Sequence, residues 1–262
     1  MMRIMLTTII TIILVIAIEL PVGLAMEDEE QQILSEYIAE IEVAIDQQSA
    51  ESLVQLGAEL STMCESFEKP VRKYACYYAG YSYYRLGTSF PDLDESQQDD
   101  YLDEAISYLE KSIEIDPEFA EAYSLKGSSY GSKISGMFSG MRYGNTAGQN
   151  LEKGLELAPE NPRTVMLHAI SLLFTPSMFG GSTEKAASEF QKATELFESW
   201  NPDHELQPEW GYEESYTWLG IAYREKGEYE KALETFRQVL EINPEFAWVR
   251  DDLLPELKEE MD

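Results

Sequence analysis

The sequence predicts an all-α protein, a solenoid of about five stacked helical hairpins with long turns inside its repeats. Three observations carry this. In residues 213–246, small side chains (Gly220, Ala232) and large ones (Tyr216, Leu219, Tyr223, Phe236) alternate at helical spacing around a Lys-Gly-Glu-Tyr turn, and Pro244 closes the stretch. Prolines 70, 117, 159, 202 and 244 recur at intervals of 47, 42, 43 and 42 residues, each following an amphipathic segment. A fixed period of this length is the mark of a repeat array. Ala79-Gly80 with Ala105 and Leu109, and Gly127 with Ala147 and Leu151, repeat the same small-against-large pairing upstream.

Counted from Glu213, the pattern residues Tyr216, Leu219, Gly220, Tyr223, Ala232, Phe236 and Pro244 occupy positions 4, 7, 8, 11, 20, 24 and 32. This closely resembles the tetratricopeptide repeat (TPR), a 34-residue helix–turn–helix unit. The resemblance implies a right-handed superhelix whose first helices line a concave groove, and a function in binding a peptide or protein partner there. Small residues at 8 and 20 let the two helices approach, and large ones at 4, 7, 11 and 24 fill the seam.

Residues 1–25 read as an export signal. Arg3 precedes an apolar run over 4–18, and Gly23-Leu24-Ala25 ends in small residues suited to a signal peptidase. Cleavage after Ala25 leaves 237 residues, without a membrane span, for a bacterial periplasm; left uncleaved, the run is a membrane anchor. The formal net charge of −30 argues against nucleic acid and anionic membranes as partners.

Residues 29–72 form an atypical opening unit, with Leu34, Tyr37, Ile38, Ile41 and Ile45 on one helix face. Ser49 caps a second helix bearing Leu53, Leu56, Leu60 and Met63. Cys64 and Cys76 fall on neighbouring antiparallel helices and form either a disulfide or two packed thiols. Units follow at 73–119, 120–161, 162–212 and 213–246, the first three lengthened mostly within the helix–helix turn. Residues 198–212 make a longer connection, and 247–262 a capping helix.

All 49 acidic residues avoid the windows 69–91, 122–151 and 163–183, which together span 74 residues and hold eight of the 19 Lys and Arg. Each window covers the first helix of a repeat and much of its turn. The charge map therefore predicts a neutral to slightly basic groove within an acidic shell. Better burial of first helices explains the helices but not the turns, since loops ordinarily run over the surface and are polar. Here the turns carry Lys133, Met137, Phe138, Arg142 and Tyr143, then Met178, Phe179, Gly180 and Gly181. Such turns form either a folded-back lid or a contact surface.

The groove positions implied by the TPR resemblance are Tyr74, Tyr77, Tyr81, Tyr84 and Arg85 in the second unit. In the fourth they are Arg163, Met166, Ile170, Leu173 and Phe174. A tyrosine stripe facing an aliphatic one suits an extended peptide or an elongated apolar molecule, with Arg85, Lys133 and Arg142 placed to meet a carboxylate. Ordinary inter-repeat core is the alternative for each of these side chains. The run Pro176-Ser-Met-Phe-Gly-Gly with Lys-Ala-x3-Phe-x-Lys-Ala193 is also similar to a segment of the T component of tripartite ATP-independent periplasmic transporters. That resemblance implies a second function, an accessory that holds a small apolar or carboxylated ligand for a transport system.

The residues suggest no enzyme and no cofactor. His168 and His204, the only histidines, belong to no metal-ligand spacing and have no evident nucleophile beside them. The acidic run from Asp92 to Asp100 lacks the ordered spacing of a calcium loop and reads as solvated charge.

Overall fold

A computed structural model describes the backbone of residues 22–261 and the side chains of residues 28–261. The export signal expected over 1–25 lies outside the described residues, apart from the backbone of its final turn. Among the described residues every regular element is helical: α1 (Val22–Asp46), α2 (Ala50–Ser66), α3 (Val71–Ser89), α4 (Glu95–Ile115), α5 (Ala120–Ser132) and α6 (Met137–Leu157). α7 (Pro162–Phe174), α8 (Thr183–Glu198), α9 (Tyr212–Glu225), α10 (Tyr229–Ile242) and α11 (Leu254–Met261) complete the chain. Consecutive helices pair as hairpins α1/α2, α3/α4, α5/α6, α7/α8 and α9/α10, and each first helix also touches the first helix of the next hairpin. The architecture is a TPR-type solenoid.

The ends of the helices follow from local chemistry. The Ser49 side chain accepts from the Ser52 amide, and Asp94 with Gln97 forms a reciprocal cap on α4. Asn161 precedes Pro162 at the first position of α7, where a missing N–H costs nothing.

Close approach within the hairpins rests on the small residues. A side-chain carbon on Gly80 would lie 2.7 Å from Leu109 Cγ, and one on Gly127 would lie 2.7 Å from Leu151 Cγ and 2.9 Å from the Ala147 carbonyl oxygen. Gly220 stands in the same relation to Phe236. Ala105, Ala147, Ala186 and Ala232 face these seams and are buried. Cys64 on α2 and Cys76 on α3 are joined by a disulfide with Cα atoms 4.6 Å apart, fastening the atypical first hairpin to the second.

The extra length in the third unit takes a form that its glycine-rich sequence does not suggest. Residues 137–144 are not a loop but the first two turns of α6, which runs for 21 residues against 13 in its partner α5. The overhang projects past the end of α5, and most of it has no neighbour to pack on. Ile134 reaches back to Gly140 and Gly144, Tyr143 lies half-buried against Tyr130 of α5 with ring centroids 6.1 Å apart, and Met137, Phe138 and Met141 stand in solvent.

Candidate functional site

The inner wall of the array is built from α3, α5 and α7, as the pattern of first helices requires. It is not open. Residues 199–211, the connection between α8 and α9, lie in the groove as a strap, with Leu206 fully buried and Trp210 nearly so. Trp210 stacks on Tyr81 with ring centroids 4.9 Å apart, and its indole Nε1 donates to the Tyr77 hydroxyl at 3.1 Å. The Tyr78 hydroxyl donates to the Leu206 carbonyl at 3.2 Å, and His204 stacks on Tyr74 at 5.6 Å. Gly211 leaves the groove with φ of 106°, and a side-chain carbon there would meet Phe197 at 2.9 Å and Met166 at 3.2 Å. Only glycine suits both demands.

The tyrosine stripe therefore points inward as the repeat pattern requires, yet faces the chain's own strap. Tyr77 and Tyr81 are fully buried, Tyr74 and Met166 nearly so, and Tyr84 and Ile170 partly. Burial raises the pKa of Tyr77, Tyr78 and Tyr81, so all three phenols stay neutral across the physiological range.

The expected cationic contacts are also largely used internally. Arg85 pairs with Glu214 of α9 at 3.0 Å. Burial opposes its charge, but Tyr81, Glu214 and Glu42 outweigh that and raise its pKa. The buried Lys133 ammonium lies 2.9 Å from Asp103 and 3.4 Å from Asp99 of α4. The acidic run thus contains a helix cap, Asp94, and a lysine partner, Asp99. Arg142 remains exposed beside the Tyr143 ring.

Beside the strap, a cleft of about 280 Å³ lies between α1, α3 and α9, lined by Trp210, Phe246, Glu42, Asp46, Arg85 and Glu214 among others. Burial first, then the nearby Glu214 and Asp46 carboxylates, push the Glu42 carboxyl up to about 7, against the opposing pull of Arg85. Sequence reasoning missed Glu42, because nothing local shows that α1 and α9 line one cleft.

What remains open is an edge of the array. The overhang of α6 exposes Met137 (74%), Phe138 (84%) and Met141 (78%). The α7–α8 turn exposes Phe174 (66%), Met178 (82%) and Phe179 (72%). Phe174 does not face the tyrosine stripe; it ends α7 and packs edge-on against Trp218 of α9. Gly180 turns the chain with φ of 102°, and Gly181 passes so close to the Thr175 carbonyl that no side chain fits. The Gly181 amide is engaged by the Pro176 carbonyl at 3.3 Å, so this glycine pair makes a tight turn. Hairpin turns of a solenoid follow one another along one edge. Here Lys133 links the third hairpin's turn to the start of α4, and Lys226 links the last turn to Glu184 at the start of α8 at 2.9 Å.

Residues 213–246 and 94–119 match the family described as tetratricopeptide repeat. No curated protein matches the chain by sequence. Among solved structures, the chain is similar to the HusA haemophore from Porphyromonas gingivalis, with 24% identity and a TM-score of 0.63 over 74% of this chain and 92% of that one. It is also similar to a thermophilic TPR protein in Thermus thermophilus, with 16% identity and a TM-score of 0.44 over 81% and 96% of the two chains. A structure of MamA gives 18% identity and a TM-score of 0.40 over 72% and 88%.

Proposed function

We propose, on the premise that this is a tetratricopeptide-repeat protein, that it is an exported, non-enzymatic scaffold whose contact surface is the turn edge rather than the concave groove. One observation carries the reading. Six large apolar side chains at 137–141 and 174–179 stand in solvent, in windows free of acid, on a chain whose net charge is −30. Exposed apolar patches of this kind on an otherwise charged surface mark binding sites. Methionine and phenylalanine suit an adaptable contact, because thioether chains repack and aromatic rings bury much area at low entropic cost. The groove supports the reading less well, since its aromatic wall is already satisfied by the strap.

A photo-crosslinking residue in place of Phe138 or Met178 tests this in the native envelope. Both should give one shared protein adduct, and a probe at the exposed Glu152 of α6 should give none. Phe138→Asp should remove the adduct from the Met178 probe without lowering the melting temperature, because Phe138 has little to pack on. Equal adducts from all three positions, or none, count against the edge.

The second reading is a small apolar ligand bearing carboxylates, held for a transport partner. It is favoured by the exposed Arg142 beside the apolar overhang. Haem is a suitable first probe, because the HusA haemophore has a similar fold. Saturable binding of haem, seen by absorbance and lost in Phe138→Asp, would favour this reading over a protein contact.

A further inference from the structure

The filled groove contains a feature independent of the edge. Arg163 is the second residue of α7, behind the Asn161 cap and Pro162. Its side chain is fully buried, and Nε, Nη1 and Nη2 all lack a hydrogen-bond partner. The guanidinium sits over Phe197, Trp200 and Trp210, at 5.2, 5.2 and 5.8 Å from the ring centroids.

Those rings stabilise the cation through its charge, but they offer no acceptor to the N–H groups that radiate in its plane. Trp200 Nε1, on one of the same three rings, is buried and unpartnered too. Glu121 on α5, the nearby carboxylate, is taken by Asn161 Nδ2 at 2.6 Å and forms no ion pair with Arg163. Charged donors left without acceptors away from water are the costliest kind of unsatisfied group. The positive end of the α7 dipole adds to the same local excess of donor character.

We propose that Arg163 anchors an internal oxyanion site beneath the strap, and that its occupant is an organic carboxylate with an aromatic or apolar body. A carboxylate presents two oxygens in one plane, which matches the guanidinium fork edge-on while the rings keep its faces. The aromatic surroundings favour an apolar body. A phosphate dianion would bring two negative charges to a single cation and lose more hydration on entry. Trp200 and Trp210 belong to the strap, so filling the site ties the strap down.

The test uses the full chain, unfolded in urea and refolded in a buffer whose only anion is chloride. Sodium acetate, sodium benzoate and inorganic phosphate are then titrated at constant ionic strength, with melting temperature and tryptophan fluorescence as readouts. The expected result is a saturable rise in melting temperature with both carboxylates, tighter for benzoate, with a matching fluorescence change. Arg163→Lys keeps the charge but loses the fork and should weaken benzoate at least ~10-fold. Arg163→Met should remove the response; should that variant fail to fold, the lysine variant carries the comparison. No carboxylate response in the unaltered chain, a response to phosphate alone, or an undiminished response in Arg163→Lys would overturn the proposal.

Discussion

Glu42 on α1 faces Glu214 and Asp46, with Arg85 as the cation nearby, at a cleft that joins the first hairpin to the last. Its carboxyl is raised from 4.5 to about 7, so the folded protein holds a proton that the unfolded chain releases. Below the unfolded value both states are protonated and Glu42 costs nothing. Between there and about pH 7 the unfolded chain ionises first, so stability falls as pH rises; above it the full penalty persists. Burial displaces Asp46 and Glu213 the same way. Glu42→Gln should therefore stabilise the protein at pH 8 by on the order of 2 kcal/mol, and barely at pH 4.5. Urea midpoints at the two pH values measure this; an equal gain at both would mean that the charge is already compensated.

Each hairpin depends on one seam of contact between its helices. Gly127→Ala places a methyl against backbone atoms of α6, which cannot rotate away as a side chain can. We expect a loss of about 1–3 kcal/mol in chemical denaturation, the usual cost of overpacking. The strap is the least repeat-like element and depends on Trp210, through its stack on Tyr81 and its bond to Tyr77. Trp210→Ala should cost about 3–5 kcal/mol. It should also speed hydrogen exchange over 199–211 ahead of the hairpins. Uniform exchange across the chain would mean that strap and hairpins open as one unit. The α6 overhang is the opposite case: Met137, Phe138 and Met141 contribute almost nothing to the fold, so polar substitutions at these three should leave stability within about 0.5 kcal/mol.

At the scale of the whole molecule, 49 acidic side chains against 19 basic ones make self-repulsion a general cost. Taking salt from about 0.01 to about 1 M shortens the screening length from about 30 to about 3 Å. The melting temperature should rise with it; a flat response would mean that the ion pairs along the array offset the repulsion.

Much of this architecture was legible in the linear sequence because a repeat writes its packing locally. Gly80, Gly127 and Gly220, the alanines opposite them and the closing prolines lie within about 40 residues of their partners, as repeat units of 20 to 50 residues require. Their spacing alone implies two helices in close contact. The acid-free windows likewise cover the turns that now form the exposed edge. Tertiary structure alone decided the fate of the groove. Trp210 lies 133 residues from Tyr77, and Glu214 lies 129 from Arg85. No periodicity links residues so far apart, and the curvature that brings the fifth hairpin back to the first accumulates over the whole stack. For the same reason a buried Arg163 without acceptors could be seen only after the strap was placed over it.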